Sequence, residues 1–497
     1  MPSQTILAID QGTTSTRSLL FDSEGRLLAT AQREFPQSYP QPGFVEHDPA
    51  TIWRDVLETA REVIEKSPAP VAGIGIANQR ETTVVWDRTD GAPIYPAIVW
   101  QDRRTAGLCE RLRLEGAEAL VRERTGLLLD PYFSATKLAW ILDHVAGARA
   151  RAARGELAFG TIDSFLLWHL TGGKVHATDA ANASRTLLFD IHRQCWDKDL
   201  LRLFDIPEAL LPDVHDNNFV YGTTTPSLFG SSIPVAGMAG DQHAALIGQA
   251  CFEPGMAKAT YGTGCFVLLN TGREALPPAK GMLTTLAYRT GGRPVYAVEG
   301  SIFVAGAAMK WLRDRLGLFA AVAQTGAIAA ELGGNEGVYL VPAFAGLGAP
   351  HWDPGARGLI CGLTLDSGPA HLVRAALESA AYQTLDLLRT IPGDGGAPRA
   401  LRIDGGMAAN DWFCQFLADI IGAPVERPRM LEATAQGAAF LAGLTLGVFA
   451  DFAAVAAAWV PGGRFEPRMD AATRDQLIAG WGEAVARTLT RDTLAIG

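Results

Sequence analysis

Short apolar runs that end in Gly-rich polar turns recur along this chain, and each predicts a buried strand delivering a few polar side chains to its tip. Thr5 to Asp10, the turn around Gly12, Thr13, Thr14 and Ser15, and Thr16 to Asp22 predict strand, tight turn, strand, with an alternating third strand over Leu27 to Arg33. Val71 to Ala77 is almost wholly apolar, as in a parallel strand buried on both faces, and empties into Asn78-Gln79-Arg80-Glu81-Thr82. Further strands are predicted over Thr83 to Asp87 and over Ala97 to Trp100. Ile233 to Met238 behaves like Val71 to Ala77, ending in Gly240-Asp241-Gln242 before the helix-forming stretch His243 to Gly248. Longer-period segments predict helices over Ala50 to Lys66, residues 104–124, Thr136 to His144, Phe303 to Leu316, His371 to Arg389 and Ala471 to Leu489, and His176 to Thr186 is expected to be a small-polar loop.

The first pattern then begins again. Met256 to Thr260, the turn Tyr261-Gly262-Thr263-Gly264, and Cys265 to Asn270 repeat the strand, Gly/Thr turn, strand unit in the second half of the chain. Such a repeat implies two domains of similar topology facing each other across a cleft, expected at residues 1–248 and 249–497. Later strands are expected at Val295 to Val298, at Val338 to Val341, and at Ala400 to Ile403, which ends in Asp404-Gly405-Gly406. The Gly/Pro-rich stretch 342–358 is too long for a plain connection, and a functional reason is expected for it.

Composition narrows the chemistry. At 497 residues and 48% hydrophobic, the chain can bury a large core, and a net charge of -10 without a basic stripe argues against a nucleic-acid footprint. The six cysteines form no CxxC pair and the histidines no HExxH, so any metal is expected to be a hard ion held by carboxylates and substrate phosphates. The start of the chain lacks a signal-peptide pattern and no apolar run approaches membrane-spanning length, so a cytoplasmic protein without membrane insertion is expected.

Within this frame, Thr13, Thr14 and Ser15 supply the donors of a phosphate cradle, Asp10 faces it as a Mg²⁺ ligand, and Arg17 offsets phosphate charge. The alternative is an ordinary hairpin built from turn formers, which the second copy of the motif makes less economical. Arg80 and Glu81 combine donors and acceptors, as recognition of vicinal hydroxyls requires, or else form a solvated surface pair. Trp100 can lay its ring on a carbon chain or serve the core. Asp241, on a buried strand's tip and at a helix start, is either a general base or a helix cap. Gly406 lets backbone approach a flat ligand, and Asn410 can read a purine edge or ribose.

Taken together, DQGTTSTRS, NQRETT, IVWQDRRT, DPYFSATKLAWILDH, TDAANASRTLLFD, AGDQHAALIGQ, YGTGCF, PAFAGLGAPHWDPGARG and DGGMAAN resemble the FGGY carbohydrate kinase family over essentially the whole length, and its glycerol-using members in particular. The resemblance implies an α/β, duplicated ribonuclease-H-like (actin-like ATPase) fold and transfer of the ATP γ-phosphoryl group to a terminal hydroxyl of glycerol. It implies glycerol between Arg80, Glu81, Tyr132, Asp241 and Gln242, with Trp100 and Phe266 on its carbon side. It places the nucleotide phosphates at Thr13, Thr14, Ser15, Arg17 and Thr263, and the adenosine end at Gly306, Lys310, Gly406 and Asn410. ATP with Mg²⁺ at Asp10 and a homodimer or homotetramer follow from the same resemblance. Three departures stand out: Lys310 where Gln is frequent, His243 where Gln is common and expected to tune the pH profile, and no Arg in Gly230 to Pro234, so sugar-bisphosphate inhibition is expected to be weak or absent.

Overall fold

The computed structural model describes residues 4–277, 281–353, 355–391 and 398–490. The expected chain start at residues 1–3 and Pro354 of the long loop lie outside them.

Two mixed sheets form the frame. In the first half, β1 (Thr5–Gln11), β2 (Ser15–Asp22) and β3 (Leu27–Glu34) make an antiparallel meander, crossed by α1 (Pro49–Glu65). Asp48 caps α1, accepting from Ala50 and Thr51 N–H, with Pro49 at the position where its missing N–H costs nothing. β4 (Val71–Asn78) pairs parallel to β1, and β5 (Pro234–Gly240) pairs parallel to β4. Between them lie α2 (Ser134–His144), α3 (Ile162–Leu170) and the short α4 (Ala180–Ala183), and α5 (Asp241–Gly248) follows β5 directly.

The second half repeats this plan. β6 (Ala257–Tyr261) pairs antiparallel to β7 (Cys265–Gly272), as β1 does to β2, and β7 pairs antiparallel to β9 (Arg293–Ile302), which β8 (Leu283–Thr290) flanks at the edge. After α6 (Gly306–Asp314) and α7 (Pro369–Arg389), β10 (Leu401–Asp404) pairs parallel to β6, as β4 does to β1. α8 (Asp411–Ile421) and β11 (Val425–Pro428), parallel to β10, complete the correspondence. The chain therefore folds as a duplicated ribonuclease-H-like α/β protein. Each half aims the tips of its parallel strands and the turn of its first hairpin to one end of the sheet.

Several local expectations need correction. Residues 104–124 form two helices, Ala106–Leu114 and Glu118–Thr125, because Gly116 between them takes a positive φ of 85°. His176 to Thr186 is no loop: it holds the strand Ala177–Asp179 and α4, nearly all of it buried. The helix expected from Phe303 starts at Gly306, and β8 was not anticipated.

Helix α9 (Ala433–Thr445), from the second half of the sequence, packs on the first sheet and against α5. Ala438, Phe440 and Leu441 share one core with Ile6, Ala8, Phe21, Ala239 and Leu246. Backbones touch here, because a Cβ on Gly75 would lie 2.0 Å from the Ala438 carbonyl oxygen, one on Gly248 1.9 Å from that of Ala433, and one on Gly437 1.8 Å from that of Ala244. Gly437→Ala is therefore expected to cost about 3 kcal/mol as an overpacking change against backbone that has nowhere to go, read from the denaturant midpoint. A loss below about 0.5 kcal/mol would show that α5 and α9 can separate freely. Among the described residues, no helix is long and apolar enough to cross a membrane.

Candidate active site

The first hairpin turn is closed by Gly12 N–H donating to the Ser15 carbonyl at 2.9 Å. Asp10 and Arg17 face each other across β1 and β2 and form an ion pair of 2.5 Å, while the other end of the guanidinium reaches Glu432 at 2.5 Å. Arg17 thus stands between two carboxylates. Burial pushes the Asp10 carboxyl above its ordinary range despite the pull of Arg17. Thr13, Thr14 and Ser15 keep some exposure on the turn, and Thr13 Oγ1 accepts a 2.9 Å hydrogen bond from the Trp100 indole N–H. Trp100 therefore fixes the phosphate-type turn relative to the pocket beside it, a connection its place in sequence did not suggest.

The second hairpin meets a helix end. Gly306 N–H donates to the Gly262 carbonyl, and Ala305 and Ala307 N–H to that of Thr263, all at 3.0 Å, so the start of α6 is tied to the turn. Gly405, at φ 86°, comes so close that a Cβ would lie 2.4 Å from the Tyr261 carbonyl oxygen, and only glycine fits. A Cβ on Gly406 would meet nothing within 4 Å. Asn410 caps α8, accepting from Phe413 N–H at 3.2 Å, and donates to Thr325 Oγ1 at 3.2 Å, so part of its hydrogen-bonding capacity is already committed. Lys310 lies exposed on α6. Gly306 and Gly405 thus close on the Tyr261 to Thr263 turn, with Gly406 next to that contact and Asn410 tied instead to Thr325 and the start of α8.

Between the hairpins lies a buried ion network. Glu81 takes a positive φ of 58°, which turns Arg80 and Glu81 toward one place, although neighbours in a plain strand would diverge. Arg80 holds Glu299 with two hydrogen bonds, 2.5 and 3.0 Å, and donates to the Tyr132 hydroxyl at 3.3 Å. Arg185 donates to Glu81 at 2.7 Å and to Glu299 at 3.0 Å. Arg80, Glu81, Arg185 and Glu299 are all buried. Burial alone would raise the Glu299 carboxyl, but Arg185 and Arg80 outweigh it and hold the group at about 2. Glu81 is raised, since burial outweighs the pull of Arg80 and Arg185.

Asp241 closes this network at its open side. Its carboxylate lies 3.4 Å from Arg80 Nε and its side chain keeps 29% of its surface, against 2% for Arg80. Loss of water raises the Asp241 carboxyl, countered by Arg80 and Lys258. Gly240, not Asp241, is the residue flanking α5, and among the described residues the Asp241 carboxylate accepts one backbone N–H, that of the adjacent Gln242 at 2.7 Å. Gln242 Oε1 in turn accepts from the buried Lys258 of β6, which also donates to Thr260 at 3.0 Å. Trp100, Tyr132 and Phe266 ring this side, with centroids 5.6 and 6.3 Å from Trp100, and Arg80 lies 5.7 Å over the Phe266 ring.

Glu299, Arg185 and Lys258 were not singled out from sequence. The signal for each is a lone charge in an apolar or small-residue strand or turn, which gains meaning only with its partner. His243 is buried, and among the described residues neither ring nitrogen has a partner. Burial, then Arg80, hold it well below the usual histidine range, so it stays neutral and adds no titration near neutrality. Among the described residues no three His, Cys, Asp or Glu cluster as a metal cage. Asp10, with one oxygen on Arg17, suits instead a hard cation completed by phosphate and water oxygens.

The sheet topology and paired hairpins define a duplicated ribonuclease-H-like protein, and the chain belongs to the FGGY family of carbohydrate kinases: residues 5–248 match the family's N-terminal domain and residues 257–446 its C-terminal domain. Within that family it is similar to the glycerol kinases. It is 61% identical to glycerol kinase of Gluconobacter oxydans (strain 621H), covering 98% of this chain and 95% of that one, and 60% identical to that of Rhodospirillum centenum (strain ATCC 51521 / SW), covering 97% and 98%. The crystal structure of Plasmodium falciparum glycerol kinase with ADP superposes with a TM-score of 0.93 at 35% identity, over 98% of this chain and 99% of that one.

Proposed function

We propose that this chain transfers the γ-phosphoryl group of ATP to a terminal hydroxyl of glycerol, giving sn-glycerol 3-phosphate, the first step of glycerol catabolism. The observation that carries the proposal is Asp241, the partly open member of an otherwise buried ion network. Arg80 donates to one glycerol hydroxyl, and Glu81, Gln242 and Tyr132 complete the polar contacts. Trp100 and Phe266 cover the carbon side, which suits a three-carbon chain. Asp241 takes the proton from the attacking hydroxyl; its carboxylate needs only modest basicity, because phosphoryl transfer asks chiefly for in-line positioning and charge stabilisation. The Thr13, Thr14 and Ser15 turn and Thr263 hold the phosphates from two sides, and Arg17 sets the charge beside them. Gly306, Lys310, Gly406 and Asn410 line the adenosine end. Asp10 would hold Mg²⁺, which when bound offsets charge on the phosphates. The two kinase domains are residues 1–248 and 249–497, and the enzyme acts in the cytoplasm as a homodimer or homotetramer, which sedimentation checks.

A polyol panel tests the substrate. We expect kcat/KM for glycerol to exceed that for xylulose and gluconate by at least about 100-fold, since the added hydroxyls of a longer chain would be buried without partners against Trp100 and Phe266. Equal turnover of a five- or six-carbon substrate would assign the chain to another member activity.

Lys137 supports the same pocket. This buried lysine on α2 donates to the carbonyls of Pro131, Tyr132 and Phe133 at 2.5, 2.6 and 3.0 Å, and burial pulls it down to about 8 against the nearby carboxylates. Lys137→Met leaves those carbonyls without their donor, so a stability loss of about 3 kcal/mol and a roughly tenfold higher glycerol KM are expected. Unfolding curves and initial rates check both, and an unchanged KM would remove Lys137 from the account of Tyr132.

A further inference from the structure

The geometry points to Asp179, Asn182 and Asn78 as positioning residues for glycerol, a buried staple that sets the Arg80–Glu81 turn, Arg185 and the strand leading to Asp241 in one register. The inference rests on the glycerol kinase reading of the site and adds to it a set of residues that touch no substrate.

Asn78 ends β4, two residues before Arg80, and lies in register with Gly240 of β5. Its amide pairs with that of Asn182 in both directions: Asn182 Nδ2 donates to Asn78 Oδ1 at 2.9 Å, and Asn78 Nδ2 to Asn182 Oδ1 at 3.2 Å. Asn182 lies on α4, three residues before Arg185, and also donates to Asp179 Oδ2 at 2.6 Å. Asp179 caps α4 through Ala181 and Asn182 N–H at 2.8 and 3.0 Å. Asn217 then donates both to Asp179, at 2.8 Å, and to the carbonyl of Met238 on β5, at 2.9 Å, three residues before Asp241. The same Asn217 accepts from Arg289 N–H on β8 at 2.8 Å, so the staple also reaches the second half.

These groups are fully buried, and among the described residues no basic side chain pairs with Asp179 or with its neighbour Asp163. Asp163 is satisfied instead by Thr161, and by Thr178 at 2.6 Å. A network of amides and hydroxyls around two carboxylates, without a cation, is costly to bury and has no solvent to fall back on. Its hydrogen bonds are directional, so it fixes orientation more than it adds cohesion. Three of the segments it joins, β4, α4 and β5, run on within three residues to Arg80, Arg185 and Asp241, and none of these three leads to the Thr263, Gly406 and Asn410 rim.

Asn182→Ala, Asn78→Ala and the double variant of the full chain test this. Each single variant is expected to raise the glycerol KM at least tenfold while nucleotide affinity, measured with ADP in the absence of glycerol, changes less than twofold. The double variant should be no worse than the worse single one, because the two amides act as one unit. The unaltered chain supplies a second measurement. Coupling is reciprocal, so glycerol should slow hydrogen exchange of the amides at 179–185 and 217, and ADP alone should not. A glycerol KM unchanged in folded variants, glycerol and ADP affinities lost in parallel, or no glycerol-dependent protection in the unaltered chain would each overturn the staple. An unaltered chain that turns over no glycerol would overturn the functional reading instead.

Discussion

Asp241→Asn is expected to lower kcat by about 10³-fold, within the range general-base removal produces, while glycerol and nucleotide binding hold to within a few-fold. The amide keeps the shape and an acceptor for Gln242 N–H, and removes the base together with the charge that faces Arg80. Stability should change by less than about 0.5 kcal/mol, because the side chain is partly open and caps no distant group. A helix-capping role predicts the reverse pattern, with activity kept and stability lost. The sign with pH is fixed by the same burial: the acting form is ionised and its pKa is raised, so kcat should fall as pH drops through a value above the ordinary aspartate range. The variant should lack that acid limb.

Glu299→Gln should have the largest effect on the fold. Two buried guanidiniums, Arg80 and Arg185, share this carboxylate, and breaking a buried pair costs about 3–5 kcal/mol because the charge left behind cannot be hydrated. Arg80 would then turn to its remaining neighbours, Glu81 and Asp241, and the glycerol KM should rise with the loss of stability. The carboxyl is held at about 2 when folded, below the 4.5 of an ordinary glutamate, so its contribution is fully present above about 4.5 and lost as pH falls toward 2. Thermal unfolding between pH 6 and 3 checks this, since the variant should lose the corresponding acid sensitivity. An equally stable Glu299→Gln would mean that Arg80 and Arg185 find water or other partners.

The repeated hairpins and the parallel strands β4 and β5 were legible because their signals are local: an apolar run, a Gly/Thr turn, a carboxylate at the tip. Asp241, Arg80 and Glu81 were legible for the same reason, as charges at the ends of buried strands. The partners that give them meaning were not. Glu299 lies 219 residues from Arg80 and 114 from Arg185, and nothing in the run Val295 to Ser301 says which charge it will meet. The small polar residues of His176 to Thr186 suggest a loop, although Asp179, Asn182 and Thr178 spend that polarity on buried hydrogen bonds. Strand β8 escaped because three of its eight residues are threonine, which blurs the apolar contrast although the strand is almost wholly buried. The packing of α9 onto the first sheet is a tertiary fact that its two glycines and its alanines permit but do not announce.

The most direct measurement is ADP and glycerol 3-phosphate formation by the purified chain with ATP and Mg²⁺, with and without glycerol. The account predicts glycerol-dependent production of both in equal amounts, with the phosphate on a terminal carbon by ³¹P NMR. ADP release that is independent of glycerol, or none at all from folded protein, would contradict it.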